Sequence, residues 1–445
     1  MQRKGRFDKV EVTADGNGLA AHAGSALLVA VADKVGLTDA FSEELAATRE
    51  RRCVHDPGEV VRDLCVMLAD GGDCLSDLAA LRDQRDLFGR VASNATAFRV
   101  IDSLAGEGML DCLRAARARA RERAWEFGPR PERFVLDLDA TLVTAHSNKE
   151  RAAGNYKGGF GFHPMFCSLD GSQEALAAIL RPGNAGANTA RDQIDCVERA
   201  LEQLPAEVRE EAELLVRTDS AGLTHELLNH LREEDIRFSV GMDMTEDVRL
   251  AVRGIAADDW LPAVTADGSE RERAFVAELS LDLSGWPVGA RAICRRERAH
   301  PGAQLSLIDT DGFRHQVFMT DQQGEDIAKL DLTQRGHARV EDRIRCAKQT
   351  GLENLPFRDF QLNAVWLELC LIAQDLIVWT KGLALEGELT SAEPKRLRYR
   401  LLHQAGRIAL SGRRTRLRLE RAWPWAEALA TAFSRIRALP GMPAP

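Results

Sequence analysis

The sequence lacks the patterns that mark several protein classes. Its nine cysteines are odd in number and widely spaced, and no two form a Cys-x-x-Cys pair, so we expect neither a disulfide framework nor a zinc site. No uninterrupted apolar run reaches about 18 residues, which argues against a membrane span. The N-terminal stretch MQRKGRFDKVEV has no apolar core of a secretory signal, so we expect a cytoplasmic protein with no membrane partner. The His-Glu-x-x-His and Gly-x-Ser-x-Gly patterns are also missing, so neither a zinc protease nor a serine hydrolase is indicated.

The sequence also lacks an excess of positive charge, but its charges are unevenly distributed. Its 59 basic and 68 acidic residues give a net charge of −9, which does not by itself indicate nucleic-acid binding. One basic cluster without any acidic residue consists of Lys395, Arg396, Arg398, Arg400, Arg407, Arg413, Arg414, Arg416 and Arg418. A second basic cluster consists of Arg114, Arg117, Arg119, Arg121 and Arg123. Each cluster alone could be an ordinary solvated face, but together, beside the acidic residues described below, they indicate surfaces that contact phosphates.

The chain is long enough to form several domains. Its 445 residues exceed one ordinary domain. Residues 1–128 are predicted to form a helical N-terminal DNA-binding domain. In it, one helix begins after Asp56 and ends at Gly71, and another is capped by Ser93 or Asn94. Short helices separated by glycine turns suit a helix-turn-helix-like module, although many helical domains share this pattern.

From residue 129 the pattern changes to alternating strands and helices. Residues 129–245 read as three strands, a helix, a strand, a helix and a strand, which indicates an α/β fold with a mixed sheet covered by helices. Residues 246–325 break this rhythm and predict a separate β-rich insertion. Residues 326–390 contain two strong helices, ARVEDRIRCAKQTGL and the apolar NAVWLELCLIAQDLIVWTKGLAL, and residues 391–445 form a basic C-terminal segment with the strand RRTRLRLE.

Three aspartates lie at places that suit a metal site. Asp137 and Asp139 project from one face of the strand FVLDLDATLV, and Asp219 ends the strand ELLVRTD, where side chains become accessible. Like charges on one strand face cost stability unless a cation or solvent offsets them. Hard cations such as Mg²⁺ bind carboxylate oxygens, and two of them about 3.5–4 Å apart can neutralise both reacting oxygens of a phosphodiester. An aspartate at a strand end is also a common turn former, so a structural explanation stays open for each.

A glutamate on a later helix completes this set. Glu341 is followed after four and seven residues by Arg345 and Lys348, which share its helix face. An acid flanked by bases suits a metal ligand beside groups that hold DNA phosphates. The same spacing also describes an ordinary helix salt bridge between Glu341 and Arg345.

The motifs LDLDATLV, GFGFHP, LRPGN, VRTDSAG and RGHARVEDRIRCAK follow one another along nearly the whole chain. Together they resemble the DDE transposases of bacterial insertion sequences, in particular the insertion-sequence 1380 family of the insertion-sequence-4-like superfamily. The resemblance implies a ribonuclease-H-like fold with a β-rich insertion between the second aspartate and the glutamate. It places the catalytic acids at Asp139, Asp219 and Glu341, with Asp137 as a competing metal ligand.

The superfamily signature around the glutamate is only partly present. That signature is Tyr, two residues, Arg, three residues, Glu, six residues and Lys, and Glu341 and Lys348 satisfy its last spacing. The residues at and beside the Tyr and Arg positions are Gln334, Arg335, His337 and Arg339. Which of the two arginines grips a phosphate therefore stays open.

The resemblance implies a metal-dependent transposase that cuts the ends of an insertion sequence and joins them to target DNA. Asp139, Asp219 and Glu341 would hold Mg²⁺, with Mn²⁺ as a substitute, while Arg345 and Lys348 grip phosphates. The N-terminal helices would read the terminal inverted repeats in double-stranded DNA, and a homodimer would hold two ends together. The basic C-terminal segment would add affinity through Arg414, Arg416 and Arg418.

Two other functions remain as alternatives. One is a catalytically inactive DNA-binding protein derived from a transposase, and the other is a ribonuclease-H-like nuclease or resolvase without strand transfer. Trp260 and Trp286 in the insertion could stack on an unpaired base, although such tryptophans are more often core residues. Glu368 lies in the apolar helix and is expected to be a packed or helix-capping carboxylate.

Overall fold

The computed structural model describes residues 10–49, 54–298, 312–324, 326–411 and 414–441. Arg413, from the C-terminal basic cluster, lies outside the described residues. The α-helices are α1 Ala26–Lys34, α2 Leu37–Glu44, α3 Pro57–Asp70, α4 Ala79–Arg82, α5 Arg85–Phe88, α6 Asn94–Leu104, α7 Met109–Phe127, α8 Ala190–Leu201, α9 Ala206–Glu211, α10 His225–Glu233, α11 Glu246–Arg253, α12 Ile327–Arg335, α13 Arg339–Ala347, α14 Phe360–Ala384, α15 Pro394–Leu397 and α16 Ala426–Ala438. The strands are β1 Leu19–Ala20, β2 Phe134–Ala140, β3 Val143–Thr144, β4 Ala153–Gly154, β5 Phe160–Phe162, β6 Met165–Leu169, β7 Ala175–Ile179, β8 Leu214–Thr218, β9 Arg237–Met242, β10 Leu261–Val264, β11 Glu270–Leu279, β12 Arg291–Arg298, β13 Phe313–Thr320, β14 Gly406–Ser411 and β15 Arg414–Leu419.

Nine strands of the described residues form one mixed sheet in the order β10-β11-β12-β13-β9-β8-β2-β6-β7. β8 pairs in parallel with both β2 and β9, whereas β6 and β7 pair antiparallel. The side chains of Leu136 and Leu138 pack with those of α8 and α10 on one face of this sheet. Because side chains alternate along a strand, Asp137 and Asp139 lie on the opposite face, where α13 contacts β2 and β6. The predicted mixed sheet covered by helices is therefore confirmed.

The insertion continues the main sheet. β10, β11, β12 and β13 pair antiparallel in sequence order, and β13 then pairs antiparallel with β9 from Val317 opposite Met242 to Thr320 opposite Ser239. The sequence pattern predicted these strands as a separate unit. Alternation along a strand indicates that a strand forms but not which neighbour it pairs with, so the long-range pairing to β9 could not be read from it.

The helical part of the chain is built around α14. This helix packs against α1, α3, α6, α7 and α16, and its apolar residues join theirs in one hydrophobic cluster. The predicted helix ends are confirmed, because Asp56 accepts hydrogen bonds from the backbone N–H groups that start α3 and Gly71 follows it at φ 106°. Ser93 caps α6 by accepting from the N–H of Thr96 at 3.2 Å. The helices before residue 130 thus share a core with α14, which begins at residue 360. More than 200 positions of the sequence separate them from it.

Within the described residues, α14 is the helix long and apolar enough to cross a membrane by length and composition. Of its most apolar stretch, 89% is buried inside the protein. Asp359 caps the helix by accepting from the N–H groups of Gln361 at 2.8 Å and Leu362 at 3.0 Å. A helix that is buried to this extent belongs to the protein core.

Two of the five arginines of the second basic cluster, on α7, are buried and cannot belong to the phosphate-contacting surface that its composition predicted. Arg117 and Arg121 are fully buried, at 0% exposure. Arg117 contacts Asp375 at 2.8 Å and Glu368 at 3.0 Å, and Arg121 contacts Asp375 at 2.5 Å and Glu174 at 3.1 Å. These carboxylates neutralise the arginines and tie α7 to α14 and β7. The packed role expected for Glu368 agrees with this placement.

A small sheet joins distant segments through the first basic cluster. β1 pairs with β14, and β14 pairs with β15 in a hairpin, so the predicted C-terminal strand is confirmed. Arg407, Arg416 and Arg418 of this hairpin are exposed, and Arg414 begins β15. The exposed arginines leave a positively charged strand surface available to solvent.

Candidate functional site

Two aspartates lie side by side where adjacent parallel strands end. The register pairs Phe134 with Leu214 and continues to Asp137 opposite Arg217. The same register places Asp139, near the end of β2, level with Asp219, which directly follows β8. Neighbouring strands are about 4.8 Å apart, so the two carboxylates share one edge of the sheet.

The turn after β8 fixes the backbone of Asp219 and leaves its side chain at the surface. One carboxylate oxygen accepts from the N–H of Ala221 at 3.0 Å, which starts the short turn of helix that follows. A Cβ on Gly222 would overlap the side chain of Thr218, so this turn can be tight only with glycine. The Asp219 carboxylate is exposed and keeps free acceptor positions for a ligand.

The third acid, Glu341, lies exposed in the first turn of α13, and the segment before it is held to the sheet by two side chains. The amide of Gln334 accepts from the hydroxyl of Ser239 at 2.7 Å and donates to the carbonyl of Thr218 at 3.1 Å. The Nδ1 of His337 lies 3.0 Å from the carboxylate of Asp137. The positions that depart from the superfamily signature therefore anchor the glutamate helix to β2, β8 and β9.

Asp137 is fully engaged in a buried ion pair. Arg217 donates to both of its oxygens, at 2.8 and 2.7 Å, and also contacts Asp170 at 2.9 Å. Arg217 and Asp137 are each about 99% buried, with exposures of 1%. With His337 on the same carboxylate, few acceptor positions remain on Asp137 for a metal ion. This arrangement favours Asp139 as the ligand and gives Asp137 a positioning role, which is the choice that the sequence left open.

The carboxyl of Asp139 lies in surroundings that disfavour its charge. Burial, with smaller contributions from the carboxylates of Asp219 and Glu341, raises its pKa to about 6 against the opposing effects of the Ala140 N–H and the His337 ring. A carboxylate whose charge is disfavoured by two others is stabilised when a cation binds among them.

A small pocket of about 80 Å³ opens between the two aspartates. Besides Asp139 and Asp219 it is lined by Tyr156, His163 and Gln193. Burial lowers the pKa of His163, so its ring is neutral at physiological pH. The carbonyl oxygen of the buried Gln193 side chain has no hydrogen-bond partner within the described residues. An unpartnered oxygen next to two carboxylates is a setting that suits a hydrated cation.

The donor set fits a divalent metal ion. Three carboxylates from separate elements are the oxygen ligands that hard cations prefer. Among the described residues, the ligand oxygens of Asp139, Asp219 and Glu341 do not all come within 4.8 Å of one another, so a bound ion would draw them closer. The exposure of Asp219 and Glu341 leaves room for this movement.

Residues 2–441 match the family described as transposase DDE domain, group 1. The chain belongs to this family. Membership implies transposition activity, and DDE transposases in general use divalent metal ions. A cryo-EM structure of a piggyBac transposase synaptic complex with hairpin DNA matches with 9% identity, 85% coverage of this chain, 80% coverage of that chain and a TM-score of 0.43, which is too low to establish a shared fold. None of the curated proteins matches the chain.

The basic residues predicted to contact DNA take different places in this transposase. Arg335 contacts Asp331 at 2.9 Å and the carbonyl of Val264, so its guanidinium is used inside the fold. Arg339 is exposed but contacts Asp170 at both oxygens. Arg339 is therefore the more accessible of the two arginines between which the sequence left the choice open.

The other predicted contacts lie further along the same helix. Arg345 is exposed and pairs with Asp342 and Glu393, each at 3.0 Å. Lys348 is half-buried, and burial lowers the pKa of its amine. Both follow Glu341 on α13 and its continuation.

The tryptophans of the insertion are engaged within the transposase. Trp286 stacks on His225 with ring centroids 4.0 Å apart, and Arg296 lies 4.1 Å from the centroid of Trp260. Both pack against hydrophobic clusters of the fold. These contacts favour the core role over base stacking.

Sequence reasoning missed Arg217 and Asp170 as parts of the site. Arg217 was visible as a charged residue inside the apolar strand ELLVRTD, two positions before Asp219. A buried arginine needs a carboxylate partner, and the strand FVLDLDATLV offers Asp137 and Asp139. That reasoning points to one of these two aspartates without choosing between them, and no comparable signal points to Asp170.

Proposed function

We propose that this transposase cuts DNA at the ends of its element and joins the freed ends to target DNA, using Asp139, Asp219 and Glu341 as metal ligands. The observation that carries the proposal is the placement of Asp139 and Asp219 at neighbouring ends of parallel strands, with Glu341 in the first turn of the helix that contacts β2. The mixed sheet with two aspartates at parallel strand ends supports a ribonuclease-H-like core. The ordered motifs support an origin in bacterial insertion sequences of the 1380 family, and hence a cytoplasmic protein.

The chain's own residues divide the chemistry between binding and positioning. Divalent ions, Mg²⁺ or Mn²⁺, supply the positive charge that the attacking and leaving oxygens of a phosphodiester need. Asp139, Asp219 and Glu341 hold this charge at the sheet edge. Arg217 and His337 fix Asp137 beneath them, which keeps β2, β8 and the glutamate helix in register.

The DNA would approach over the exposed basic side chains near and beyond the acids. Arg345 and Lys348 are placed to hold phosphates beside the cut, and Arg339 can do so once it leaves Asp170. The β14–β15 hairpin, with Arg416 and Arg418 exposed, adds affinity that is independent of sequence. The N-terminal helices would read the terminal inverted repeats, and a homodimer would hold two double-stranded ends together.

The experiment is cleavage of a labelled duplex that carries the element's own end, in Mg²⁺. Wild type is expected to cut it, and Asp139→Asn, Asp219→Asn and Glu341→Gln are expected to lose cutting because each removes one ligand. Asp342→Asn is the matched control, since it removes an exposed carboxylate next to Glu341 and should still cut, because its partner Arg345 keeps the contact with Glu393. Adding a target plasmid then tests joining.

The outcomes separate the candidate functions. Specific binding without cutting by wild type, in either Mg²⁺ or Mn²⁺, would make the chain a DNA-binding protein derived from a transposase. Cutting without joining would make it a nuclease. Loss of cutting in the Asp342→Asn control would show that general damage to α13, and not ligand removal, explains the glutamate variant.

A further inference from the structure

Two histidines and one aspartate, none of them part of the three-acid site, lie together in the fold. Nδ1 of His22 lies 2.5 Å from one carboxylate oxygen of Asp70, at the end of α3. Nε2 of His403 lies 3.2 Å from the other oxygen of the same carboxylate. The two imidazole rings stack with centroids 4.0 Å apart and an interplanar angle of 21°. The three donor atoms all lie within 4.8 Å of one another.

The polar groups of this cluster all bond to Asp70, and Nε2 of His403 also lies 2.9 Å from the backbone carbonyl oxygen of that residue, so a bound ion would replace the protons of these hydrogen bonds. Asp70 is 5% exposed and also accepts from the hydroxyl of Ser25 at 2.5 Å. A divalent ion would use the lone pairs of both neutral rings and the charge of Asp70 together.

The surroundings of the cluster suit a ligand site. His22 has a left-handed backbone, with φ 50° and ψ 32°, which is uncommon for a residue other than glycine. Asp70 and His403 also line an open pocket of about 630 Å³, so solvent can reach the side of the cluster that protein atoms leave uncovered. Ser25 holds the carboxylate from behind, as supporting residues do in metal sites.

We propose that His22, Asp70 and His403 form a site for a transition-metal ion of the Zn²⁺ class, with water from the pocket as the fourth ligand. Two imidazole nitrogens and one carboxylate oxygen suit Zn²⁺ or Co²⁺ and disfavour Mg²⁺, which prefers oxygen ligands. Donor atoms around such an ion stand about 3.3 Å apart. Nδ1 of His22 and the Asp70 oxygen therefore need to separate by less than about 1 Å, and the two stacked rings need to turn so that both nitrogens point at one ion.

The site would act as a clip between distant parts of the chain. It joins the segment before α1, the end of α3 and the segment before β14. Ligands that close long loops stabilise a fold by restricting the unfolded chain, and metal binding then adds directly to folding stability. The separation of the three residues in sequence explains why motif spacing predicted no zinc site.

The test is a Co²⁺ titration of the full chain in excess Mg²⁺, followed by the visible absorption of the bound Co²⁺. Wild type is expected to bind one Co²⁺ with an absorption band that Zn²⁺ removes, and to unfold at a higher temperature when Zn²⁺ is present. His22→Ala and His403→Ala are expected to lose the band. His146→Ala, at an exposed histidine elsewhere, is the matched control and should keep it.

Two further variants make the result decisive. His403→Asn keeps a hydrogen-bond donor toward Asp70, so it is expected to fold, as circular dichroism can check, and still to lose the band. Asp219→Asn is expected to keep the band, which separates this site from the three acids and from the proposed function. Absence of a band in wild type, or its persistence in both His22→Ala and His403→Asn, overturns the proposal and leaves a hydrogen-bonded cluster.

Discussion

Asparagine in place of Asp139 is expected to stabilise the metal-free protein at neutral pH. The carboxyl is partly buried, and burial, with help from Asp219 and Glu341, raises its pKa from 3.8 to about 6. At neutral pH the group is therefore ionised in surroundings that disfavour its charge. Asparagine removes this charge with little change in shape.

The size and the sign of this change in folding stability follow from the raised pKa of Asp139. A pKa that is higher in the folded state than in the unfolded state means that the folded protein binds the proton more tightly. The stability from this proton is fully present below 3.8 and is lost as the pH rises through about 6. The whole pKa rise corresponds to about 3 kcal/mol at about 1.36 kcal/mol per pH unit, and solvent screening of a partly exposed group reduces this to about 1–2 kcal/mol.

The assay is thermal unfolding in a chelator at neutral pH and near pH 4. Asp139→Asn is expected to raise the Tm by about 2–4 °C at neutral pH and to match wild type in acid. Asp342→Asn, at an exposed acid of α13, is the control and should follow wild type throughout. Adding Mg²⁺ should raise the Tm of wild type more than that of Asp139→Asn.

Two outcomes of the thermal-unfolding experiment would refute this effect of the Asp139 charge. A variant that is less stable than wild type at neutral pH would mean that the Asp139 carboxylate makes favourable contacts that outweigh the crowding of charge. An advantage that persists unchanged near pH 4 would mean that its cause is packing and not ionisation.

Three other substitutions test the contacts around the site. Asp375→Asn leaves the buried arginines of α7 short of a partner and should lower the free energy of unfolding in urea by about 3–5 kcal/mol. Arg119→Gln, on the exposed face of α7, should change this free energy by about 0.5 kcal/mol or less. Equal effects of the two variants would contradict the buried network. Gly336→Ala puts a Cβ where a guanidinium nitrogen of Arg217 lies, so α13 must shift. We expect the free energy of unfolding to fall by about 1–3 kcal/mol and DNA cutting to slow. An unchanged cutting rate would show that α13 tolerates the shift. His337→Ala removes a hydrogen bond to the buried aspartate of β2; urea unfolding should show a loss of about 1–3 kcal/mol, and no loss would mean that Arg217 alone holds that aspartate.

The strand ends were the part of the site best predicted from the sequence. Strict alternation through Asp139 and the apolar run before Asp219 indicate where two strands end, and a parallel pairing then brings those ends together. The choice between Asp137 and Asp139 depends on the ion pair with Arg217, which lies opposite Asp137 in the strand register but 80 positions away in the sequence. Alternation treats the two aspartates alike, so only the pairing of strands distinguishes them.

The buried arginines of α7 show where a prediction from composition failed. Their count indicated a charged surface, but Arg114, Arg117 and Arg121 are spaced three and four apart and so share one helix face. Glu368 and Asp375 are seven apart in an apolar helix and also share one face. These two matched stripes were visible in the sequence, and they predict a buried contact better than the number of arginines predicts a DNA-binding surface.

The continuity of the main sheet means that the insertion cannot be trimmed away as a module. If β10–β13 were deleted, the backbone of β9 from Ser239 to Met242 would lose its partners and become a bare edge. An unpaired edge recruits strands from other molecules, which leads to aggregation. That edge would be one strand away from Asp219, so a shortened descendant would have to evolve a new cover for β9 before it could keep a soluble active centre.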